Sequence, residues 1–253
     1  MKTKILAHRG ASAYRPENTL EAFALAIEQK ADGIELDVHL TQDGYVVVAH
    51  DERLERVSNG TGFINDHTLD QLKALNFNRC FPAQSACRIP TLEEVYSLVK
   101  GSPAKVNIEL KTTEFMYPEL PQKLIRLERE YAMEERVIYS SFNHYSLLAI
   151  KQIKPDAKIG LLYALGVVDP WVYAKYVSAA AIHPHYAIIM ALPDAVRLCH
   201  ENGILVNVWT VDDAKALGYM FQCGVDAVIT NRPDVAAACR DALSKGEVGN
   251  GGK

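Results

Sequence analysis

The segment Ile34-Glu35-Leu36-Asp37-Val38-His39-Leu40 has the length of a β-strand, and apolar and polar residues alternate along it. Because successive side chains of a strand point to opposite faces, Glu35, Asp37 and His39 share one face. A strand of a closed parallel barrel is buried on both faces and is usually apolar nearly throughout. The polar face of this strand therefore requires a functional explanation.

The segment Val106-Asn107-Ile108-Glu109-Leu110-Lys111 repeats this pattern. Asn107, Glu109 and Lys111 lie on one face, and the apolar residues lie on the other. In a sheet covered by helices the apolar faces pack against those helices. The polar faces of both segments are therefore expected to point into the interior of a barrel.

Apolar segments of strand length alternate with helical patterns along the chain, which is typical of a parallel sheet with crossover helices. Eight segments lie near residues 4 to 8, 33 to 40, 105 to 111, 136 to 140, 158 to 163, 180 to 183, 204 to 209 and 225 to 229. A doubly wound open sheet usually has a glycine-rich phosphate loop after its first strand, and His8-Arg9-Gly10-Ala11 is not one. With 253 residues, the chain is predicted to form an α/β (β/α)₈ TIM barrel.

We predict one barrel domain over residues 1–243, with a small insertion after the second strand and its hairpin, and a flexible tail over 244–253. The insertion, at about 52–89, breaks the alternation of strands and helices with turn residues such as Asn59-Gly60. A loop of this length inside a compact domain is usually functional, so we interpret it as a cap over the site.

Three local signals predict how segments begin and pair. Helix starts are predicted at Asn18, with Glu21, and at Thr91, with Glu94, because each pair places a cap residue three positions before a carboxylate. Asp43-Gly44 between apolar runs predicts a hairpin. A two-residue loop would place His50 opposite Asp37, and a four-residue loop would place it opposite Glu35, so both alternatives put His50 on the carboxylate face.

The composition is that of an ordinary soluble globular protein, with 49% hydrophobic and 23% charged residues. A formal net charge of −4 without a long basic run argues against a nucleic-acid surface. Five cysteines without a C-x-x-C pair indicate neither a disulfide framework nor a zinc site. We expect a cytoplasmic protein, since no segment reads as a signal sequence or a membrane span.

Glu35, Asp37 and Glu109 are the candidate metal ligands. Three carboxylates in a water-poor interior repel one another, and Lys111 can supply only part of the counter-charge that they require. Carboxylate oxygens suit Mg²⁺ or Ca²⁺ better than softer metals, so we predict a divalent cation as cofactor. The alternative is a set of ordinary ion pairs at the barrel rim.

His8 ends the first strand, at the end of a barrel where active sites lie, and Arg9 follows it. A lone histidine can be purely structural, but His8 and His50 together can supply a general acid and a general base near neutral pH. The guanidinium of Arg9 is a planar fork that matches a phosphate. Trp209 is either an apolar wall against the substrate or a core aromatic, and His183-Pro184-His185 is interpreted as structural.

The chain resembles the glycerophosphodiester phosphodiesterase family in its bacterial cytoplasmic form, from residue 5 to about 235. The motifs that carry the resemblance are His8-Arg9-Gly10, Pro16-Glu17-Asn18-Thr19, Glu35-Leu36-Asp37-Val38, Thr41-Gln42-Asp43-Gly44, His50-Asp51, Ile89-Pro90-Thr91-Leu92-Glu93-Glu94, Asn107-Ile108-Glu109-Leu110-Lys111 and Val208-Trp209-Thr210-Val211. One departure is Arg56-Val57-Ser58-Asn59, where many members have threonine after the arginine.

The resemblance implies catalytic roles for His8 and His50, metal binding by Glu35, Asp37 and Glu109, and phosphate contacts from Arg9 and Lys111. It also implies hydrolysis of glycerophosphodiesters, such as glycerophosphocholine or glycerophosphoethanolamine, to sn-glycerol 3-phosphate and an alcohol. The implied partner is this small-molecule substrate, without nucleic acid or stable membrane association, and a homodimer is one assembly the sequence allows. Two alternatives are a phosphoinositide- or sphingomyelinase-type phospholipase and a non-catalytic barrel that only binds ligands.

Overall fold

The computed structural model describes residues 2–245, and its strands close into a barrel. Eight parallel strands follow one another around the barrel: β1 (Lys4–His8), β2 (Gly33–Leu40), β4 (Lys105–Leu110), β5 (Val137–Ser141), β6 (Ile159–Tyr163), β7 (Ala181–Pro184), β8 (Leu205–Val208) and β9 (Ala227–Thr230). Pairing of β1 with both β2 and β9 completes the closure. The predicted TIM barrel is therefore confirmed.

Ten α-helices and one short 3₁₀ helix (Ile64–Asp66) are present in the described part of the chain. The α-helices are α1 (Leu20–Glu28), α2 (Leu69–Ala74), α3 (Leu92–Val99), α4 (Leu120–Glu130), α5 (His144–Ile153), α6 (Pro170–Tyr176), α7 (Tyr186–Ala191), α8 (Asp194–Glu201), α9 (Ala214–Cys223) and α10 (Pro233–Ser244). The main core lies between barrel and helices, where outward-facing strand residues such as Ile34 and Ile108 pack against helix residues such as Phe23 and Val95. No helix within residues 2–245 has the length and apolarity needed to cross a membrane.

The start of α1 differs from the prediction. Thr19, and not Asn18, caps this helix, because its side chain accepts a hydrogen bond from the backbone N–H of Ala22. Asn18 has a φ of 56° and directs its side chain toward Asp37 instead. The predicted capping of α3 is confirmed, since Thr91 and Glu94 form a complete capping box.

The hairpin after β2 also differs from both predicted registers. The strand β3 (Val46–Val48) pairs antiparallel with β2, with Val38 opposite Val48 and Leu40 opposite Val46. The connection is thus five residues long, since the side chain of Thr41 bonds both Asp43 and the backbone of Tyr45 and widens the turn. This register would turn His50 away from the carboxylates, but the pairing ends at Val48 and the chain then bends.

The predicted insertion has a small apolar core of its own. Residues from β3 to Ile89 form this cluster, which includes Val47, Leu54, Ile64, Leu72 and Phe77. The final helix runs to Ser244, one residue into the predicted tail. The rest of that tail, 246–253, lies outside the described residues.

Candidate active site

Three buried carboxylates converge at the carboxyl end of two neighbouring strands. Glu35 and Asp37 come from β2 and Glu109 from β4, and Asp37 lies directly beside Glu109 in the pairing of these strands. One ligand atom from each residue lies within 4.8 Å of the other two. The inward face predicted from the alternation of apolar and polar residues is therefore correct.

The electrostatics of this cluster reflect a shortage of positive charge. Burial, followed by repulsion from Asp37 and Glu109, raises the pKa of Glu35 well above its usual value. Burial and the charge of Asp37 also raise the pKa of Glu109. Burial opposes ionisation of Asp37 as well, but the charges of Arg9, His50 and Lys111 lower its pKa to about 2.

Within residues 2–245, two protein cations reach the carboxylates. Arg9 Nε lies 3.5 Å from Asp37 Oδ2, and Lys111 Nζ lies 3.0 Å from Glu109 Oε1 and 3.9 Å from Asp37 Oδ1. The side chain of Asn18 donates to Asp37 Oδ2 at 2.9 Å. Three carboxylates and two cations leave a negative surplus in a buried place, and an all-oxygen donor set of this kind fits a hard divalent cation.

The tautomer of His8 is fixed by a side chain from the end of β9. His8 Nδ1 lies 2.7 Å from Asn231 Oδ1, while Asn231 Nδ2 donates to Asp212 Oδ2 at 2.6 Å. Because Asp212 can only accept, Asn231 must present its oxygen to the ring, so His8 carries its proton on Nδ1. Burial, followed by the charge of Arg9, lowers the pKa of His8 to about 4, which leaves Nε2 as a free base at neutral pH.

His50 has a carboxylate partner next to it in the sequence. His50 Nδ1 donates to Asp51 Oδ1 at 2.6 Å, and its Nε2 accepts from Lys111 Nζ at 3.2 Å. The hydrogen bond from His50 holds the pKa of Asp51 well below its usual value. The carboxylate of Asp51 therefore fixes the orientation of the ring with a proton on Nδ1 and leaves Nε2 for partners on the side of Lys111.

A chain of ion pairs links the two halves of the site. Arg56, from the insertion, donates to Asp51 Oδ2 at 2.5 Å and to Glu17 Oε2 at 2.7 Å. Glu17 also accepts from Arg9 Nη1 at 2.9 Å. His50 and Arg9 are therefore both held, through carboxylates, by one guanidinium of the insertion.

Six residues that support the site were not among the candidates predicted from the sequence: Glu17, Asn18, Asp51, Arg56, Asp212 and Asn231. Glu17, Asn18 and Asp51 fall inside the motifs Pro16-Glu17-Asn18-Thr19 and His50-Asp51, so their place at the site could have been predicted from these motifs. Asn231 directly follows β9, at the barrel end where functional side chains gather, which is a weaker signal.

A cavity of about 80 Å³ connects the groups, and every predicted catalytic or metal residue except Asp37 lines it. The remaining wall includes Asn107, Phe142, Leu162 and Trp209. Trp209 is held by a hydrogen bond from Nε1 to the backbone oxygen of His183 at 2.8 Å, and its ring packs edge-on against Phe142. Trp209 thus lies at the cavity wall and not only in the core.

The two histidines of His183-Pro184-His185 have structural contacts. His183 is fully buried and bonded to Asn207, and burial lowers its pKa to about 3. His185 accepts from the backbone of Ala187 at the start of α7. Within residues 2–245, the only group of three or more His, Cys, Asp or Glu side chains close enough to hold a metal is Glu35, Asp37 and Glu109.

Comparison of the sequence with known proteins identifies a family and several relatives. Residues 8–235 match the model of the glycerophosphoryl diester phosphodiesterase family. The chain is 48% identical over 235 residues to a glycerophosphodiester phosphodiesterase of Caldanaerobacter subterraneus subsp. tengcongensis, which covers 92% of this chain and 96% of that protein. It is 36% identical over 243 residues to a glycerophosphodiester phosphodiesterase of Bacillus altitudinis, and the match covers 95% of this chain and 99% of that protein.

Solved structures are similar over nearly the whole chain. A glycerophosphodiester phosphodiesterase of Agrobacterium tumefaciens superimposes with a TM-score of 0.82 and 30% identity, covering 93% of this chain and 99% of that one. A phosphodiesterase of Oleispira antarctica, solved in complex with the product sn-glycerol-3-phosphate, superimposes with a TM-score of 0.87 and 26% identity. The match covers 95% of this chain and 97% of that one.

Proposed function

The chain belongs to the glycerophosphoryl diester phosphodiesterase family, and from this premise we propose that it hydrolyses glycerophosphodiesters to sn-glycerol 3-phosphate and an alcohol with the help of a divalent cation. The observation that carries the proposal is one cavity lined by His8, His50, Arg9 and two of three converging carboxylates. Glycerophosphocholine and glycerophosphoethanolamine are the proposed substrates.

Glu35, Asp37 and Glu109 would hold the cation, either Mg²⁺ or Ca²⁺. When bound, such an ion polarises a phosphoryl oxygen and neutralises the negative charge that develops on it. Its charge would also compensate the repulsion that raises the pKa values of Glu35 and Glu109. The fit therefore rests on both the donor atoms and the charge of the cluster.

His8 is the proposed base of the first step. Its Nε2 accepts the proton of the glycerol 2-hydroxyl, and the resulting oxygen attacks phosphorus to form a cyclic phosphate. The pKa of about 4 keeps His8 unprotonated at neutral pH, as a base requires. Asn231 and Asp212 position the ring by fixing its tautomer.

His50 is the proposed acid of the first step, in which a proton on Nε2 replaces the contact with Lys111 when Lys111 turns to the phosphate. It donates a proton to the oxygen of the departing alcohol as the bond from phosphorus to that oxygen breaks. In the second step the roles reverse: His50 takes a proton from water, the water oxygen opens the cyclic phosphate, and His8 returns its proton to the glycerol oxygen. Asp51 stabilises the protonated state of His50 that both steps use.

Arg9 and Lys111 are the proposed contacts for the phosphate oxygens. Their cationic groups lie within 4 Å of the carboxylate cluster, so a phosphate that they hold would lie next to the proposed metal ligands. Trp209 would provide an apolar surface for the substrate beside Phe142. The insertion at about 52–89 would act as the cap of a single barrel domain, and Arg56 is its proposed link to the site.

The proposal is tested by coupling product formation to sn-glycerol 3-phosphate dehydrogenase, with glycerophosphocholine as substrate and Mg²⁺ or Ca²⁺ present. A matched diester, 3-hydroxypropyl phosphocholine, lacks the 2-hydroxyl and should release no choline, because the proposed nucleophile is missing. Release of choline at similar rates from both substrates would instead indicate direct attack by water. Cleavage of sphingomyelin or phosphatidylinositol in preference to glycerophosphocholine would support the phospholipase alternative.

A further inference from the structure

Three lysines occupy inward-facing positions at the amino-terminal end of the barrel, opposite the site described above. Lys4 and Lys105 are the first residues of β1 and β4, and Lys158 directly precedes β6. Each lies an even number of residues before a side chain that lines the active-site cavity, namely His8, Glu109 and Leu162, so all three share the inward face. Branched apolar residues usually fill this part of a TIM barrel.

The lysines surround an open cavity of about 550 Å³. Its walls include the apolar side chains of Leu6, Ile138, Leu205 and Val225. Sites for small molecules commonly have volumes of roughly 300 to 1,000 Å³ and mainly apolar walls with a few polar groups. No described residue lines both this cavity and the active-site cavity, so the two are separate.

The positive charge at this cavity is poorly compensated. Within residues 2–245, no carboxylate lies within 4.0 Å of the charged groups of Lys4, Lys105 or Arg136. Lys158 lies 3.6 Å from Glu135, but the side chain of Glu135 is 92% exposed, which makes this a weak pair. Burial, followed by repulsion from Lys4, Lys158 and Arg136, lowers the pKa of Lys105.

Among the described residues that line the cavity, Asp226 is the one other acidic residue, and its side chain is already engaged. Asp226 Oδ2 accepts from the backbone N–H of Val206 at 2.8 Å and lies 2.7 Å from His200 Nε2. Leu205 leaves 41% of its surface exposed at the same place, although the residues on either side of it are buried. Lys105 Nζ donates to the backbone oxygen of Glu135 at 2.7 Å, which leaves its charge without a carboxylate partner. Lysines with no carboxylate partner, or only an exposed one, thus lie beside the exposed surface of Leu205 in one concave region.

We propose that this cavity binds a small amphiphilic anion, a molecule with one anionic head and an apolar body. The head would pair with Lys4, Lys105 and Lys158, and the body would cover Ile138 and Leu205, which are both partly exposed. Both parts are needed: the anion relieves repulsion among like charges, and the body removes apolar surface from water. The alternative is that the aliphatic parts of the lysine side chains only cover the apolar surface while their ammonium groups stay in water. In that case no such ligand would bind.

The experiment is isothermal titration calorimetry of the full chain with three probes. Octane-1-sulfonate has both parts of the proposed ligand, methanesulfonate has only the head, and octyl glucoside has an apolar chain with a neutral head. Sulfonates avoid the phosphate chemistry of the active site. We expect octane-1-sulfonate to bind at least about tenfold more tightly than either partial probe, and its affinity to fall with ionic strength.

Variants locate the binding. The triple variant K4Q/K105Q/K158Q should weaken octane-1-sulfonate by about tenfold or more, since it removes the three charges and keeps the stems. The control K123Q/K175Q/K215Q changes the net charge equally on α4, α6 and α9, and should bind as the wild type does. Leu205→Asn, at an exposed position, should weaken binding through the apolar part alone.

Several outcomes would overturn the proposal. These are absence of octane-1-sulfonate binding to the wild type, equal binding by octyl glucoside, and unchanged affinity in the K4Q/K105Q/K158Q variant. Displacement of the probe by sn-glycerol 3-phosphate would also count against it, because it would place the probe in the active site.

Discussion

Replacement of Asp51 by Asn should impair catalysis without affecting metal binding. His50 Nδ1 lies 2.6 Å from Asp51 Oδ1, and Arg56 donates to both oxygens of that carboxylate. The amide that replaces the carboxylate would have one oxygen for both partners and would leave the charge of Arg56 facing the ring. The protonated state of His50, which the proposed mechanism uses in both steps, would lose its main stabilising contact.

The magnitude follows from the geometry. Two unit charges centred about 4 Å apart interact by roughly 4 kcal/mol at an effective dielectric constant of about 20. The side chain of Asp51 is 28% exposed, and Arg56 already neutralises part of its charge, so the loss should be smaller. We expect a loss of about 3 kcal/mol of transition-state stabilisation, which is about 10²-fold in kcat.

The assay compares two substrates at saturating metal. Glycerophosphocholine has a poor leaving group and should show the full loss. A p-nitrophenyl glycerophosphodiester needs little protonation of its leaving group, so release of p-nitrophenol should be much less affected if His50 is the acid. The neighbouring carboxylate provides the control, since Glu52→Gln changes the charge equally and should leave kcat nearly unchanged.

A third measurement separates catalysis from folding. The rise in melting temperature on addition of metal should be the same in Asp51→Asn as in the wild type. A loss of less than about threefold on glycerophosphocholine, or an equal loss in Glu52→Gln, would refute the assignment of Asp51. Equal losses on both substrates would instead make His50 the base of the first step.

Further predictions concern the metal and the histidines. Excess EDTA should abolish activity and Mg²⁺ or Ca²⁺ should restore it, so full activity in EDTA would contradict the metal requirement. Glu109→Ala should lose the metal-dependent rise in melting temperature, while the metal-free fold is intact or slightly stabilised, because carboxylate repulsion is relieved; an unchanged rise would count against this. His8→Ala and His50→Ala should each lower kcat by roughly 10² to 10⁴-fold, and the double variant should be little slower than the slower single variant; additive losses would indicate independent roles. In the metal-free protein, the pKa of Glu35 is higher in the folded state than its unfolded value of 4.5. The protonated carboxyl group therefore contributes its full share to the free energy of unfolding below about pH 4.5, and this contribution is lost as pH rises through the folded pKa. The unfolding free energy of Glu35→Gln relative to wild type, from urea titrations, should therefore increase above about pH 4.5, and a constant difference would refute it.

Much of the fold could be predicted because burial is periodic along the chain. All eight barrel strands lie within two residues of their predicted bounds, since each is an apolar segment between helical patterns. The carboxylates of β2 and β4 could be predicted for the same reason, because polar residues at every second position of a buried strand can only face the interior.

Local signals were less reliable where side chains compete for backbone groups. Asn18 and Thr19 are both good cap residues, and the choice between them depended on Asp37, which takes the side chain of Asn18. The hairpin register depended on the bonds that Thr41 makes within the turn. The position of His50 was predicted correctly from a register that is wrong, because the chain leaves β3 before it reaches this residue.

The sequence by itself therefore determined the barrel, the inward carboxylates and the candidate histidines, since these follow from residue type and short-range periodicity. Only the tertiary structure decided which groups support them. Asn231 reaches His8 across 223 positions of the chain, and Arg56 reaches Glu17 across 39. The three lysines at the opposite end lie on strands that are far apart in sequence and meet only when the barrel closes. No local pattern encodes such contacts, because they depend on how strands and loops from distant segments are placed around one axis.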